Sequence, residues 1–503
     1  MDCIIGVDMG TTSTKTIAFD LKGQIVAHAD QKYPILYPQP SFSEQDPEEI
    51  FRAVVCTIRS VADTLKKDGN HLLGLSFSSA MHTLIAVDRH GKPLTNVIIW
   101  ADTRSNEQAV RIKQSANGHD IYLRTGTPIH PMSPLCKLAW FKENQPDIVD
   151  QAHKFISIKE YVFLKLFDQY LIDYSIASAT GLFDIRSLHW CEPALAVAGI
   201  TAEHLSKPVP PTHTVKGLSK EWSSALGLDP QVPFVLGASD GCLANLSANA
   251  IHPGCASLTI GTSGAIRVAA SAPAQDAQER VFSYVLTEGL YIVGGPVNSG
   301  GVVFRWFRDN FAQVEVAEAV KTGVDPYDLL IEKAQSIPAG ADNLLFLPYL
   351  LGERAPFWDA KAKGVFFGIS IQHTRAHFTK ALMEGIIFGL YSVGLALEEN
   401  TKEMEVIYAG GGFARSDFWL QIVADVFNKP VRVAESVESS ALGAAVMGLY
   451  ALGIFKELTE VESILPKARE ISPDATRHEI YQKLYPIFAG LYDKLKDDFA
   501  KLG

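Results

Sequence analysis

Apolar residues follow two different periods along this chain. One period is helical: after Asp46 and Pro47, apolar residues stand at 50, 51, 54, 55, 58, 61, 62 and 65. An acidic N-cap with proline at the first helical position is typical of a helix start, so we predict a helix here. Short apolar runs bounded by polar residues predict strands at residues 72–77, 83–87, 94–100 and 235–238. The two patterns together predict an alternating α/β layout.

The C-terminal tail carries the same helical spacing. Apolar residues at 480, 484, 488, 491, 495 and 499 would form one face of a helix. Pro486 lies inside this pattern, and proline removes a backbone donor and clashes with the preceding turn. We therefore predict a break or kink near Pro486.

A strand, a tight turn and a second strand are predicted in residues 4–20. Gly10 permits the turn backbone, and Thr11, Thr12 and Ser13 add hydroxyls beside amide donors. Such a row of donors suits a polyphosphate, whose oxygens accept hydrogen bonds. Asp8 ends the first strand, and because a carboxylate repels phosphate, we expect it to hold Mg²⁺ or its water shell. An ordinary Gly-Thr hairpin is the alternative interpretation.

The same device recurs in residues 257–267, where Gly261, Thr262 and Ser263 form the turn. Thr259 occupies the place that Asp8 has in the first copy, so a single metal position is expected. Two such hairpins, about 250 residues apart, suggest a duplicated domain that holds one phosphate chain from both sides.

A third element consists of an apolar run at 406–409, three glycines at 410–412 and a helical stretch at 417–427. Consecutive glycines after a strand let a flat ring or a phosphate approach the backbone closely. Alone, this pattern is more often a plain turn between a strand and a helix.

Asp240 is the candidate catalytic base. It follows the apolar run at 235–238 and precedes a helical stretch at 242–250. The carboxyl end of a strand beside a helix start is where doubly wound folds place their active sites. In phosphoryl transfer one carboxylate accepts the proton of the acceptor hydroxyl. From these residues alone a helix N-cap is the more common role for such an acid, and the two roles can coexist.

Composition narrows the protein class. At 503 residues and 47% hydrophobic content, the chain can bury two cores. A net charge of -11 indicates no nucleic-acid or anionic-membrane surface. The six cysteines form no CxxC pair, which indicates neither a zinc site nor a disulfide framework. The longest apolar stretch, at 443–455, is too short to span a bilayer, and the acidic N-terminus is not a signal peptide. We expect a cytoplasmic protein.

The two hairpins and the glycine triplet, in this order, resemble the phosphate-1, phosphate-2 and adenosine motifs of the actin, Hsp70 and sugar kinase superfamily. Within it, MSPLCKLAWFKEN at 132–144 resembles a signature of the FGGY carbohydrate kinases, as does GVFFGI at 364–369 with the later His377, Phe378 and Ala381. The resemblance covers residues 4 to about 455. It implies an α/β fold of two ribonuclease H-like (actin-like ATPase) domains that flank a catalytic cleft.

The resemblance also implies a domain division and a set of functional residues. Residues 1–247 would bind the sugar and carry the phosphate-1 hairpin and the base; residues 248–503 would carry the phosphate-2 hairpin and the adenosine motif. ATP and Mg²⁺ are the implied cofactors, with the metal at Asp8 and Asp240. The implied nucleotide-binding residues are Gly10, Thr11, Thr12, Ser13, Lys15, Gly261, Thr262, Gly301, Arg305, Gly411, Gly412 and Ser416. The implied sugar-binding residues are Met81, His82, Trp100, Asp102, Arg104, Met132 and Asp240.

Each sugar-site residue also has a structural interpretation. Trp100 could be a core residue, Asp102 and Arg104 a surface ion pair, and His82 a histidine satisfied by its surroundings. A polyhydroxylated substrate needs paired donors and acceptors beside one apolar wall, and these residues supply both.

The sugar itself is indicated by residues 80–104. Glycerol kinases of the family carry Arg-Glu where this chain has Met81 and His82, and Ala80 and Thr83 depart from the Gln-Met-His-Gly of xylulokinases. The runs at 82–88, 100–104 and 237–241 resemble the gluconate kinases of the family. Arg104 and His82 are the candidates for binding the gluconate carboxylate.

Two alternatives stay open. One is a family kinase acting on a ketopentose such as xylulose or ribulose; the other is a non-catalytic ATP-binding sugar sensor, which the presence of both Asp8 and Asp240 disfavours. Neither a Walker motif nor GxGxxG occurs in the sequence. The expected partner is a small sugar or sugar acid, with no nucleic acid and no membrane, and a homodimer is the assembly expected.

Overall fold

Helices and strands alternate along most of the chain. The computed structural model describes residues 1–433 and 439–502. The strands are β1 (Asp2–Met9), β2 (Ser13–Asp20), β3 (Ile25–Lys32), β4 (Glu44–Gln45), β5 (His71–Ser79), β6 (Ile85–Val87), β7 (Val97–Ile98), β8 (Lys154–Ile156), β9 (Leu171–Asp173), β10 (Phe183–Asp184), β11 (His189–Trp190), β12 (Lys207–Val209), β13 (Thr214–Val215), β14 (Phe234–Ser239), β15 (Cys255–Ile260), β16 (Gly264–Ala270), β17 (Phe282–Thr287), β18 (Leu290–Val297), β19 (Leu345–Leu347), β20 (Val365–Phe367), β21 (Val406–Gly410), β22 (Val431–Val433) and β23 (Arg469–Ile471). The helices are α1 (Pro47–Lys67), α2 (Asn106–Gln114), α3 (Gly118–Thr125), α4 (Pro134–Asn144), α5 (Pro146–Gln151), α6 (Ile158–Phe167), α7 (Tyr174–Ser178), α8 (Glu192–Ala198), α9 (Lys220–Leu226), α10 (Asp240–Ser247), α11 (Gly301–Phe311), α12 (Gln313–Thr322), α13 (Pro326–Gln335), α14 (Arg375–Asn400), α15 (Asp417–Phe427), α16 (Ser439–Ala451) and α17 (Ala475–Lys501).

The chain divides into two compact units. The first comprises Met1–Ile251, Ala269–Val293 and Ser436–Leu465, and the second comprises His252–Val268, Gly294–Glu435 and Pro466–Gly503. Two segments from the second half of the chain thus belong to the first unit, because their apolar residues join its core. One buried cluster of this unit contains Ile4 and Leu243 together with Tyr284 and Val446. The compact units therefore differ from a single cut, and the domain division at 247/248 stays a prediction.

The first unit is built on a six-stranded sheet in the order β13-β14-β5-β1-β2-β3. Strands β14, β5 and β1 are parallel, whereas β1–β2, β2–β3 and β13–β14 are antiparallel. Alternate residues of β1 enter different cores: Ile5 and Val7 pack in the cluster that contains Val54 of α1, and Ile4 packs in the cluster that contains Val446 of α16. A strand buried on both faces needs a continuous apolar run, which is what residues 3–7 provide.

The second unit contains β15, which pairs antiparallel with β16 and parallel with β21. Strand β21 pairs parallel with β22, and β22 pairs antiparallel with β23, in the sheet order β17-β18-β16-β15-β21-β22-β23. By length and composition, α14 could cross a membrane, but 78% of its apolar window is buried inside the protein. Helix α14 is longer than the stretch at 443–455, which was identified from the sequence as the longest apolar stretch.

Several predicted elements are confirmed and two are altered. Helix α1 begins at Pro47, and Asp46 accepts a hydrogen bond from the Glu48 amide (2.8 Å) as its N-cap. The runs at 72–77 and 235–238 lie in β5 and β14, but those at 83–87 and 94–100 contain only the short strands β6 and β7. Of the break or kink predicted at Pro486, the break is wrong, since α17 continues through the proline, and the kink stays a prediction. The apolar face of α17 is buried on both sides of the proline, at Tyr481 and Phe488, and this packing outweighs one lost backbone bond.

Candidate active site

The turn between β1 and β2 is fixed by hydrogen bonds to its carbonyl groups. The Gly10 amide donates to the Ser13 carbonyl (3.0 Å) and closes the turn. The Tyr33 hydroxyl donates to the Gly10 carbonyl (2.6 Å), and the Gln45 side-chain amide donates to the Thr11 carbonyl (2.7 Å). Carbonyl oxygens repel phosphate oxygens. Because the carbonyls of Gly10 and Thr11 are hydrogen-bonded to protein donors, the turn is suited to binding a phosphate. Thr12 is exposed at the tip of the turn.

Asp8 lies at the carboxyl end of β1, close to this turn. The Ser78 hydroxyl donates a hydrogen bond to Asp8 Oδ1 (2.7 Å). Lys15 stands directly opposite Asp8 in the β1–β2 register. Opposed residues of antiparallel strands project to the same face with their Cβ atoms about 5 Å apart. The predicted metal carboxylate and the predicted nucleotide-binding lysine therefore share one face of the hairpin.

Asp240 is the first residue of α10 and follows directly on β14. Its Oδ1 accepts a hydrogen bond from the Gly241 amide (2.7 Å). Strands β14 and β1 both pair parallel with β5, so Asp240 and Asp8 lie at the same edge of the sheet. Two strand spacings of about 4.8 Å place these two strands roughly 10 Å apart. The structure thus brings the two predicted carboxylates to one edge of the sheet.

Strand β14 contains a bulge just before Asp240. Its register against β5 shifts between Val235 and Ala238. Gly237 has a left-handed φ of +68°, and a Cβ atom there would lie 1.9 Å from the Phe77 carbonyl oxygen. Only glycine fits such a position. Bulges beside active sites redirect the residues that follow them, which here include the candidate base.

A buried lysine, Lys159 of α6, occupies the bulge. Its ammonium donates to the carbonyls of Leu236 (3.1 Å) and Ala238 (2.9 Å) and pairs with Asp173 (2.9 Å). Burial lowers the pKa of Lys159, while Asp173 and, further away, Asp240 oppose that change. Lys159 therefore holds the backbone two residues ahead of Asp240. Sequence analysis missed it because its partners lie 14 to 79 residues away.

His82 is buried and lies in the loop that follows β5. Its φ of +65° is left-handed, which is uncommon outside glycine and asparagine. Nδ1 contacts the Ala179 carbonyl (2.7 Å), so Nδ1 carries the proton and donates. Nε2 lies 3.4 Å from the Tyr284 hydroxyl. The ring is thus oriented by neighbours on two sides. This geometry agrees both with a role in sugar binding and with a structural histidine whose hydrogen bonds are made within the protein.

Trp100 joins the candidate sugar loop to the phosphate hairpin. Its indole Nε1 donates to Thr11 Oγ1 (2.9 Å). Trp100 is half-buried and follows β7, which pairs with β4, and Gln45 of β4 donates to the Thr11 carbonyl of the hairpin. The loop is therefore joined to the hairpin directly by the hydrogen bond from Trp100 to Thr11 and indirectly through β4. A substrate that contacts Trp100 would lie beside the phosphate-binding turn.

Asp102 and Arg104 form a buried ion pair. The Asp102 side chain is 0% exposed and that of Arg104 is 3% exposed. Arg104 Nη2 reaches Asp102 Oδ2 (2.8 Å) and Glu44 Oε1 (2.5 Å), and its guanidinium stacks on Phe42 (3.6 Å to the ring centre). The Ser43 amide donates to Asp102 Oδ2 (2.7 Å). This geometry gives both residues a part in shaping the loop, and their contact with a sugar stays a prediction.

The two predicted methionines differ in their surroundings. Met132 is buried, and its amide donates to His130 Nδ1 (3.2 Å). Met81 is half-buried and packs against two apolar clusters of the first unit. Sugar contact by either residue stays a prediction.

A cavity of about 720 Å³ in the second unit gathers most of the predicted nucleotide residues of that unit. Its lining includes Gly261, Thr262, Gly301, Arg305, Gly412 and Ser416. The start of α11 supports the second hairpin, because the amides of Gly301 and Val302 donate to the carbonyls of Gly261 (2.8 Å) and Thr262 (3.0 Å). Gly411 does not line the cavity but packs behind it against Ile260. Ser416 also caps α15 by accepting from the Trp419 amide (3.4 Å).

Aromatic side chains form one wall of this cavity. The ring centre of Phe304 lies 5.1 Å from that of Tyr327 and 5.8 Å from that of Trp419, and Phe413 lies 6.2 Å from Trp419. Tyr327 belongs to α13, which also supplies Asp328, Glu332 and Gln335. An aromatic wall with polar groups at its rim is typical of a small-molecule binding site. The residues of α13 were not predicted from the sequence, since nothing in the local pattern of α13 distinguishes it from any amphipathic helix.

Comparison with known proteins finds two matching family models, one after the other along the chain. Residues 3–247 match the model of the N-terminal domain of the FGGY family of carbohydrate kinases, and residues 256–452 match that of the C-terminal domain. A gluconokinase of Bacillus licheniformis is 47% identical over 99% of this chain and 97% of its own length. A xylulose kinase of Staphylococcus epidermidis is 30% identical over 100% of this chain and 98% of its own length.

Solved structures agree with this result over the whole chain. A gluconate kinase of Lactobacillus acidophilus superposes with a TM-score of 0.93, and a ligand-bound xylulose kinase of the same organism superposes with a TM-score of 0.94. Each is 36% identical, and each comparison covers 100% of both chains. With both family domains matched in order, this chain belongs to the FGGY family of carbohydrate kinases.

Proposed function

We propose that this protein is an ATP-dependent gluconokinase, which transfers the γ-phosphate of ATP to D-gluconate and forms 6-phosphogluconate. The kinase part is supported by Asp8 and Asp240 at one sheet edge beside a hydrogen-bonded phosphate turn. The choice of gluconate is carried by one observation: the gluconokinase relative is 47% identical, whereas the xylulose kinase relative is 30% identical.

The chemistry assigned to Asp240 is proton acceptance. Its carboxylate accepts the proton of the acceptor hydroxyl, whose oxygen attacks the γ-phosphorus while the bond from that phosphorus to the β-γ bridging oxygen breaks and ADP leaves. The Gly241 amide and the start of α10 stabilise the carboxylate as an anion, which keeps it available as an acceptor. Lys159 fixes the preceding backbone, so that the carboxylate meets the hydroxyl in a defined orientation.

Mg²⁺ would be held at Asp8. The described residues contain no cluster of three or more His, Cys, Asp or Glu side chains suited to a metal ion. Mg²⁺ usually binds through one or two carboxylates, with waters and phosphate oxygens completing its shell, and a strand-end carboxylate beside a phosphate turn fits that chemistry. When bound, the ion neutralises charge on the phosphates during transfer. Ser78 orients the Asp8 carboxylate through its hydrogen bond.

A ketopentose kinase is the second candidate function. The observation that favours it is the xylulose kinase structure of Lactobacillus acidophilus, which matches this chain as well as the gluconate kinase structure of that organism does. Fold similarity alone therefore does not choose between the two substrates.

A sugar panel tests the proposal. ADP release would be measured with ATP, Mg²⁺ and D-gluconate, D-xylulose, L-ribulose or glycerol, and kcat/KM compared. We expect D-gluconate to give the highest value. A ketopentose that exceeds gluconate tenfold would overturn the substrate assignment and leave the kinase assignment intact. Sugar and ATP binding without turnover on any substrate would favour the non-catalytic sensor instead.

A further inference from the structure

Lys137 is a fully buried lysine in the first turns of α4. Its ammonium donates to the backbone carbonyls of His82 (2.6 Å), Ile99 (2.9 Å) and Ile98 (3.4 Å). An ammonium has three protons, and three carbonyl groups surround this one. Burying a charge is costly unless it is fully hydrogen-bonded, so these bonds are strong constraints on the backbone around them.

The carbonyl groups belong to two separate loops. His82 lies in the loop after β5, whereas Ile98 ends β7 and Ile99 follows it, directly ahead of Trp100. Both loops carry residues assigned above to sugar binding. In sequence, the acceptors lie 38 to 55 residues from Lys137. The Lys137 side chain therefore connects the two loops through hydrogen bonds to their backbone carbonyls.

The backbone of His82 needs such support. A left-handed conformation in a residue other than glycine costs about 1–3 kcal/mol and persists only when its surroundings impose it. The bond from Lys137 to the His82 carbonyl acts on the same residue whose ring is held by Ala179. Burial lowers the pKa of Lys137 to about 7, with Asp102 opposing and Arg104 assisting this change. Burying the ammonium of Lys137 is thus costly for the fold.

We propose that Lys137 is a positioning residue for the sugar: it holds the His82 loop and the Trp100 loop at a fixed separation, so that both contact one substrate molecule. Lys137 itself does not touch the sugar, since its side chain is fully buried and directed to carbonyl groups. The inference rests on the kinase function proposed above, but not on the choice of gluconate, because it applies to whichever sugar the panel selects.

Lys137→Met tests the proposal, because methionine keeps most of the side-chain length and leaves no buried charge. We expect the KM for the sugar to rise at least tenfold, kcat to fall less than fivefold and the KM for ATP to change less than threefold. Lys142→Met, an exposed position on the same helix, is the matched control and should behave as the wild type. A lysine needed only for folding would lower the melting temperature and leave the sugar KM unchanged at temperatures where the variant is folded.

A second variant and a second measurement keep the test decisive. If Lys137→Met does not fold, Lys137→Gln retains a donor but cannot reach all three carbonyls, and the same split of KM values is expected. Calorimetric binding of the sugar should weaken in parallel, even if no sugar is turned over. In hydrogen exchange of the wild type, amides of residues 82–84 and 98–103 should gain protection together when the sugar binds. An unchanged sugar KM in a folded variant, or independent exchange of the two loops, would overturn the proposal.

Discussion

Glycine can be needed because the fold leaves no room for a side chain or because a ligand approaches the backbone. The three consecutive glycines at 410–412 differ in which of these reasons applies. A Cβ atom at Gly411 would lie 2.5 Å from the Ile260 carbonyl oxygen, and φ there is +94°. A Cβ atom at Gly412 would meet nothing within 4 Å, and one at Gly410 would make an ordinary contact of 3.6 Å with Thr259. Gly411 is thus required by the fold, whereas Gly412, which lines the cavity, is open to a ligand.

The size of the effect follows from the geometry. Alanine at Gly411 would have to displace the Ile260 backbone by about half an ångström, and misplacements up to 1 Å in an active site can cost about a hundredfold in rate. Ile260 directly precedes Gly261 of the second phosphate turn, so the displacement reaches the nucleotide site. The left-handed backbone adds a strain of about 1–3 kcal/mol for a residue with a side chain.

We therefore expect Gly411→Ala to lower kcat/KM for ATP at least tenfold and to lower the melting temperature, with the sugar KM within twofold of wild type. Gly410→Ala is the matched control and should change neither quantity. Gly412→Ala should keep the wild-type melting temperature, and its KM for ATP should rise because the added methyl group faces the nucleotide. Melting would be followed by dye fluorescence and ATP binding by calorimetry. A Gly411→Ala protein with wild-type melting and ATP use would refute this account of the cavity.

Three further outcomes are expected. Asp240→Asn keeps an acceptor for the Gly241 amide, so it should fold and bind ATP while kcat falls about a hundredfold or more, and a loss of only a fewfold would remove its assignment as the base. Asp8→Asn should weaken the use of Mg²⁺-ATP and leave sugar affinity nearly intact, and an unchanged Mg²⁺ titration would make Asp8 structural. Burial raises the pKa of Glu160 to about 7, so the folded state binds its proton more tightly and the wild type loses stability as pH rises from about 4.3 to 7. Glu160→Gln keeps the acceptor for the Ser157 amide. Between pH 5 and pH 8 the stability of this variant, followed by its melting temperature, should rise by about 3 kcal/mol relative to that of the wild type. A difference that stays constant with pH would contradict the pKa assigned to Glu160.

Local chemistry made a large part of the site predictable. The first turn could be located from Gly10 and its hydroxyl neighbours, and α1 from the Asp46-Pro47 start, because turns and caps depend on residues adjacent in sequence. The position of Asp240 at the end of a strand was predicted in the same way, from an apolar run that ends at an acid, and its role as the base stays a prediction. These predictions use contacts within a few residues, which a sequence displays directly.

The parts that were missed depend on contacts between distant residues. Lys137 lies inside the quoted MSPLCKLAWFKEN segment, yet its role comes from carbonyl groups up to 55 residues away. Backbone carbonyls are present at every residue, so no side-chain pattern marks the three that a buried lysine will bind. The same holds for Lys159 at the bulge of β14, and for the aromatic wall, whose residues come from α11, α13, α15 and the turn before α15. In the sequence, the one signal that indicates such a role is a lysine within an otherwise apolar stretch.

Arg104 shows how burial changes the meaning of a predicted residue. As a surface ion pair it would contribute little, and as a free guanidinium it could bind a substrate carboxylate. In the structure it compensates Asp102, which is fully buried, and Glu44, which is nearly so. Removing one partner of a buried pair typically destabilises a protein by about 3–5 kcal/mol. A substitution at Arg104 would therefore disturb the whole loop, Trp100 included, before it reported on the substrate. Substrate choice is better tested on the wild-type enzyme, where the comparison of gluconate with ketopentoses does not depend on the role of Arg104.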